Sequence, residues 1–108
     1  MKPSQISELT PDEAARHVAQ GAFLLDVREP DEWAEVHVEG AHLIPLDQVA
    51  ARTAELPRDR EVVVICRSGR RSGIAAEQLH AAGFSNVANL VGGILAWQRS
   101  GLAVASAA

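Results

Sequence analysis

The sequence predicts an α/β domain in which a parallel sheet is covered by helices on both faces. Strand-like and helix-like segments alternate along the whole 108-residue chain with short connections, the pattern that parallel crossovers produce. Two of the strand-like runs, Phe23-Leu24-Leu25 and Val62-Val63-Val64-Ile65, are apolar at every position, which marks strands buried on both sides. A chain of this length with 47% hydrophobic residues removes about two-thirds of its unfolded surface from water, enough for a core without disulfide or metal.

Taken in order, Gln5-Ile6-Ser7 is a short first strand. Thr10-Pro11-Asp12-Glu13 then offers a capping hydroxyl, Pro at the first helical position and Glu at the third, so a helix starts there and ends near Gly21. The second strand runs from Phe23 and closes at Asp26-Val27, and Pro30 opens an acidic helical turn through Trp33 and Val36. His42-Leu43-Ile44 is a brief strand stopped by Pro45, and Asp47 is placed to cap a helix over Gln48 to Leu56. After Pro57 and the polar Arg58-Asp59-Arg60 turn, Glu61 to Ile65 is the strongest strand in the chain, with β-branched residues at four consecutive positions. Ile74, Gln78, Leu79 and Ala82 recur at helical spacing in a helix expected to begin about Ser72 and stop at Gly83. Val87-Ala88-Asn89-Leu90 is the last strand, and Gly92-Gly93 turns into a final helix holding Leu95, Ala96 and Trp97. These elements are expected to form one domain over residues 1–108, with its core at about 6–100 and a frayed small-residue tail from Ala103 to Ala108.

Composition narrows the chemistry. Ten Lys+Arg against 14 Asp+Glu leave a net charge of −4, which argues against nucleic acid, whose phosphates are bound by many cations. No apolar run approaches the roughly 18 to 20 residues of a membrane span, and MKPSQISELT lacks the apolar centre of a signal peptide. A cytoplasmic protein with no membrane partner is therefore expected. The single Cys66 forms neither an internal disulfide nor a paired thiolate metal site. His17, His37, His42 and His80 show no metal-ligand spacing, so no metal is expected.

Cys66 follows directly on the strongest strand, and Arg67-Ser68-Gly69-Arg70-Arg71 leads into the next helix. Open α/β sheets bind ligands at the carboxyl ends of their strands. A helix amino terminus there presents unpaired N–H groups and partial positive charge, which favour a thiolate. Three arginines in five positions on an acidic chain describe an anion pocket, and Gly69 lets the loop turn. A lone buried Cys is commonly an inert small hydrophobe; the strand-to-helix position and the basic loop together identify Cys66 as a reactive thiolate.

The segment Cys66-Arg67-Ser68-Gly69-Arg70-Arg71-Ser72 resembles the active-site loop of rhodanese-like sulfurtransferases. Upstream, Leu25-Asp26-Val27-Arg28-Glu29 with Glu32-Trp33, and His37-Val38-Glu39-Gly40-Ala41-His42-Leu43-Ile44-Pro45, look like two further motifs of that family. Downstream, Gly83-Phe84, Asn86-Val87 and Gly92-Gly93-Ile94-Leu95-Ala96-Trp97 look like its closing motif. The resemblance implies a three-layer α/β/α domain with a five-stranded parallel sheet and a cofactor-free cycle of Cys66 between thiolate and persulfide. Thiosulfate or a related anionic donor would give its outer sulfur to Cys66 and leave as sulfite. A thiophilic acceptor, cyanide in vitro or a thiol or protein thiol in the cell, would then take it. Amides of Arg67 to Ser72 would cradle the persulfide, and Arg67, Arg70 and Arg71 would hold the donor.

Two other readings compete. A rhodanese-like module could relay sulfur to, or dock on, a specific protein with little activity on small donors. Dual-specificity phosphatases and arsenate reductases of related fold read Cys, five residues, then Arg, whereas here Arg71 follows after four and Ser72 occupies the arginine's place. A single Cys also disfavours disulfide-forming arsenate chemistry. Asp26 and Arg28, on the same sheet edge, are expected to support the pocket, Asp26 by accepting hydrogen bonds that fix the loop and Arg28 by pairing with an acid such as Glu32.

Overall fold

The computed structural model describes residues 6–106. Five parallel strands, β1 (Ser7–Leu9), β2 (Phe23–Asp26), β3 (His42–Leu43), β4 (Val62–Ile65) and β5 (Val87–Leu90), form one sheet in the order β1-β5-β4-β2-β3. The helices are α1 (Pro11–Ala19), α2 (Pro30–Glu35), α3 (Leu46–Val49), α4 (Arg70–Ala81) and α5 (Gly93–Arg99), with a 3-10 turn at Thr53–Glu55. The period-two alternation of a strand divides the core into two layers. Leu25, Val62, Val64 and Val87 face Ala75, Ala76 and Leu79 of α4, with Val49 and Leu56 beside them. Leu24, Val63, Ile65, Ala88 and Leu90 face Ala14 of α1 and Ile94 and Trp97 of α5. All four β4 residues are fully buried, as expected of a central parallel strand.

Local chemistry accounts for the element boundaries. Thr10 and Glu13 close a reciprocal capping box at the start of α1, with Pro11 next. The first strand lies two residues later than expected: Ser7 to Leu9 pair with Ala88 to Leu90 of β5 and Leu9 is buried, while Ile6 packs against the core ahead of the strand; Gln5 falls outside the described residues. The helix expected over Gln48 to Leu56 is instead the short α3, started by Pro45 rather than capped by Asp47, followed by the 3-10 turn. Only Val49 and Leu56 of that stretch reach the core, so packing gives the residues between them nothing to sustain a helix. Helix α4 begins at Arg70, two residues before the expected start, since Gly69 in the left-handed region ends the loop and draws both arginines into the first turn. Over 103–106 the tail residues make hydrogen bonds to the body of the domain. Ala105 exchanges two backbone hydrogen bonds with His37, at 2.9 and 2.7 Å, and the Ala103 carbonyl accepts the Trp97 indole N–H at 2.9 Å.

The strand order places the site. The chain crosses from β2 outward to β3, returns over β2 to β4, and continues in that direction to β5, so the connections leaving β2 and β4 head to opposite sides. The carboxyl ends of β2 and β4 therefore flank the point where strand order reverses, the crevice that such sheets use for ligands.

Candidate active site

Cys66 leaves β4 at that point and is 1% exposed. Its Sγ accepts the Gly69 N–H at 3.0 Å, and the Ser72 hydroxyl lies 3.3 Å away. Burial pushes the thiol up, but the Ser72 hydroxyl and the N–H groups of Ser72, Gly69 and Ser68 outweigh it, so the thiol sits below its ordinary value. The sequence assigned part of this stabilisation to guanidinium charge. In the structure it comes chiefly from neutral donors at the amino terminus of α4, a partial positive charge aimed at one atom.

The loop is held from three sides. Gly69 adopts φ +103, and a side chain there would crowd the Gly92 backbone nitrogen at 3.2 Å. Ile94 and Leu95 of α5 donate their N–H groups to the carbonyls of Cys66 and Arg67, at 2.8 and 3.2 Å. Gly93, at φ +59, permits that approach, since a Cβ would stand 2.4 Å from those carbonyls. From β5, the buried Asn89 accepts the Ser72 hydroxyl at 2.6 Å and donates to the Gly69 carbonyl at 3.3 Å.

The three loop arginines separate into two kinds. Arg67 and Arg70 are exposed, whereas Arg71 presents both terminal nitrogens to the Glu32 carboxylate of α2, at 2.7 and 2.8 Å. This bidentate pair holds the Glu32 carboxyl down to about 2. The sequence placed Glu32 with Arg28. Arg28 is instead buried against Asp26, with contacts from 2.8 to 3.1 Å, and also donates to the Val36 carbonyl at 2.8 Å and the Glu32 carbonyl at 3.4 Å. Asp26 accordingly accepts from Arg28, including its N–H at 3.0 Å, rather than fixing the Cys66 loop directly. The buried pair ties the end of β2 to α2, and α2 presents Glu32 to Arg71. A cleft of about 90 Å3 opens beside the loop, lined in part by Arg28, Glu32, Glu35, Arg67 and Leu95.

Sequence reasoning missed Asn89 and Gly93 as loop supports. The signal for Asn89 was its place as the one amide in the apolar strand Val87–Leu90. For Gly93 there was only a Gly-Gly pair, read as a turn. Among the described residues no three His, Cys, Asp or Glu side chains gather as a metal would need. His17 and His42 contact Glu61 and Glu55, at 2.6 and 3.2 Å, while His37 stacks on Trp33. Nor is any helix of the described residues long and apolar enough to cross a membrane.

Known proteins are similar to this chain in sequence and in structure. A sulfurtransferase of Allochromatium vinosum is 37% identical over 101 residues, covering 92% of this chain and 94% of that protein. The probable adenylyltransferase/sulfurtransferase MoeZ of Mycobacterium tuberculosis is 41% identical over 97 residues, covering 86% of this chain but only 25% of that longer protein. The crystal structure of a thiosulfate sulfurtransferase from Pseudomonas aeruginosa superposes with a TM-score of 0.85 at 28% identity, over 95% of this chain and 21% of that one. The sequence model of the rhodanese-like domain matches residues 10–100, and the chain belongs to that family.

Proposed function

We propose that this protein is a sulfurtransferase in which Cys66 takes a sulfane sulfur from thiosulfate or a related anionic donor and carries it, as a persulfide, to a thiophilic acceptor. The observation that carries this reading is the ring of N–H and O–H donors closed around one depressed thiol at the start of α4. Sulfur transfer needs a thiolate and donors for an anionic sulfur, and no general acid. The thiolate attacks the outer sulfur of thiosulfate, the S–S bond breaks, and its electron pair leaves with sulfite. The persulfide's terminal sulfur is then taken by cyanide, giving thiocyanate, or by a thiolate, giving a new persulfide, and Cys66 returns as thiolate. The two half-reactions predict ping-pong kinetics. Arg67 and Arg70 supply exposed cationic donors for the doubly charged substrate, while Arg71, held by Glu32, adds positive charge that acts on Cys66. Asp26 and Arg28 act through α2, as scaffolding.

Intact-protein mass spectrometry after incubation with thiosulfate tests the cycle. The wild-type protein is expected to gain one sulfur atom, lose it on adding cyanide with thiocyanate appearing, and Cys66→Ser is expected to gain none. Sulfur on the Cys66→Ser protein refutes the assignment. A second reading, favoured by the match to one quarter of MoeZ, is a relay module that accepts sulfur from another protein's persulfide. In that case loading occurs from a persulfidated protein and is negligible from thiosulfate.

A further inference from the structure

Buried Ser72 has one hydroxyl proton and two acceptors within reach: Asn89 Oδ1 at 2.6 Å and Cys66 Sγ at 3.3 Å. One hydroxyl cannot serve both. While the sulfur is a neutral thiol, the closer amide oxygen holds the proton, and the hydroxyl's lone pairs face the S–H. When Cys66 ionises, the sulfur has no donor of its own and becomes the stronger acceptor. Turning the hydroxyl to it then leaves a buried amide oxygen unpaired, which opposes the turn. We propose that Asn89 is a positioning residue for Cys66, keeping the Ser72 proton on its own side-chain carbonyl while the sulfur is neutral and yielding it only when the sulfur is charged.

The second bond of Asn89, from Nδ2 to the Gly69 carbonyl, fixes the residue whose N–H points at the sulfur. Asn89 thus governs both the loop donor and the hydroxyl donor without touching Sγ. If the sulfur-transfer reading holds, the inner sulfur of the persulfide is neutral and the hydroxyl swings back to Asn89, so it turns twice per cycle. The titration of Cys66 itself does not depend on that reading.

The test is the pH profile of Cys66 alkylation by iodoacetamide in wild type, Ser72→Ala, Asn89→Leu and the double variant, each first checked for folding by circular dichroism and thermal melting. The charged groups around the sulfur are Arg67 and Arg70 of the loop, Arg71 with Glu32 of α2, and Asp26 with Arg28 at the end of β2; all are retained in the four proteins. Ser72→Ala is expected to move the midpoint up by about half a unit to one unit, the equivalent of one hydrogen bond, and Asn89→Leu is expected to add a downward shift of similar size wherever Ser72 is present. In the double variant the downward effect of Asn89→Leu is expected to vanish, because no hydroxyl remains to be released. Loss of the Gly69 anchor acts alike with and without Ser72 and cancels in that comparison. An Asn89→Leu shift of the same size in both backgrounds, or one that is more upward with Ser72 present than without it, overturns the proposal. Asn89→Ala replaces Asn89→Leu if the larger side chain prevents folding, and an unmoved midpoint in Ser72→Ala alone overturns it as well. Because alkylation requires no sulfur donor, a failure to load sulfur from thiosulfate leaves this result intact and speaks only to the proposed activity.

Discussion

At the scale of single residues, the charges near Cys66 divide by what already holds them. Arg71 and Glu32 are about one-third and one-quarter exposed as side chains, so their bidentate contact is shielded enough to matter and wet enough to be modest. The Glu32 carboxyl is held down to about 2 in the folded chain, chiefly by the Arg71 hydrogen bonds, against an ordinary 4.5. A depressed carboxyl contributes stability that is complete above its unfolded value and is lost as pH falls towards its folded one. Glu32→Gln is therefore expected to lower stability by about 1 to 2 kcal/mol at pH 7, with the gap to wild type closing between about pH 4.5 and pH 2. Urea melts across that range check it, and a gap that stays constant to pH 3 assigns the loss elsewhere. Arg67 and Arg70 are free of such duties. Arg67→Ala and Arg70→Ala are expected to change stability by less than about 0.5 kcal/mol while raising KM for thiosulfate several-fold. Arg71→Ala strands Glu32 and lowers stability too. Steady-state kinetics beside thermal melts separate the two patterns.

At the scale of elements, the junction between the Cys66 loop and α5 is set by backbone clearance. Two left-handed glycines make the comparison. An added Cβ at Gly21, φ +109, meets nothing within 4 Å, whereas at Gly93 it meets three carbonyl atoms of Cys66 and Arg67 at 2.4 Å. Gly21→Ala is expected to cost only the conformational strain, about 1 to 2 kcal/mol. Gly93→Ala adds the displacement of the loop and breaks the bonds from Ile94 and Leu95, for a total above about 3 kcal/mol, with the alkylation midpoint of Cys66 moving up as the amide ring opens. Urea denaturation and alkylation rates measure both. This junction also shows where sequence reading runs out. β4, the Cys66 loop and the α1 cap were legible because each is written in adjacent residues: a β-branched run, a basic Gly-containing turn, a Thr-Pro-x-Glu box. Asn89 meeting Ser72, or Glu32 meeting Arg71 across 39 residues, depends on which strands become neighbours, and local periodicity carries no such information. The break between α3 and the 3-10 turn was hidden for a related reason. It is decided by how little of the stretch the core has room to bury.

At the scale of the whole molecule, the carboxyl-terminal segment is a clasp between α5 and α2. Trp97 of α5 donates to Ala103, Ala105 pairs with His37 just after α2, and Ser106 Oγ donates to the Ala34 carbonyl at 3.2 Å. His37 in turn stacks on Trp33 with ring centroids 3.9 Å apart. The segment therefore steadies the helix that presents Glu32 to the Cys66 loop, yet none of its atoms is among the donors that depress the thiol. Truncation after Leu102 separates these two functions. It leaves the Trp97 indole N–H and the His37 backbone to find water and is expected to cost about 1 to 3 kcal/mol, lowering Tm by roughly 4 to 8 °C for each kcal/mol in a domain near this size. The Cys66 alkylation midpoint is expected to stay within about 0.3 units of wild type, since the neutral donors that set it sit within the loop and the first turn of α4. A midpoint that moves with Tm means that α2 and its clasp, through Glu32 and Arg71, shape the thiol's surroundings as strongly as the loop itself.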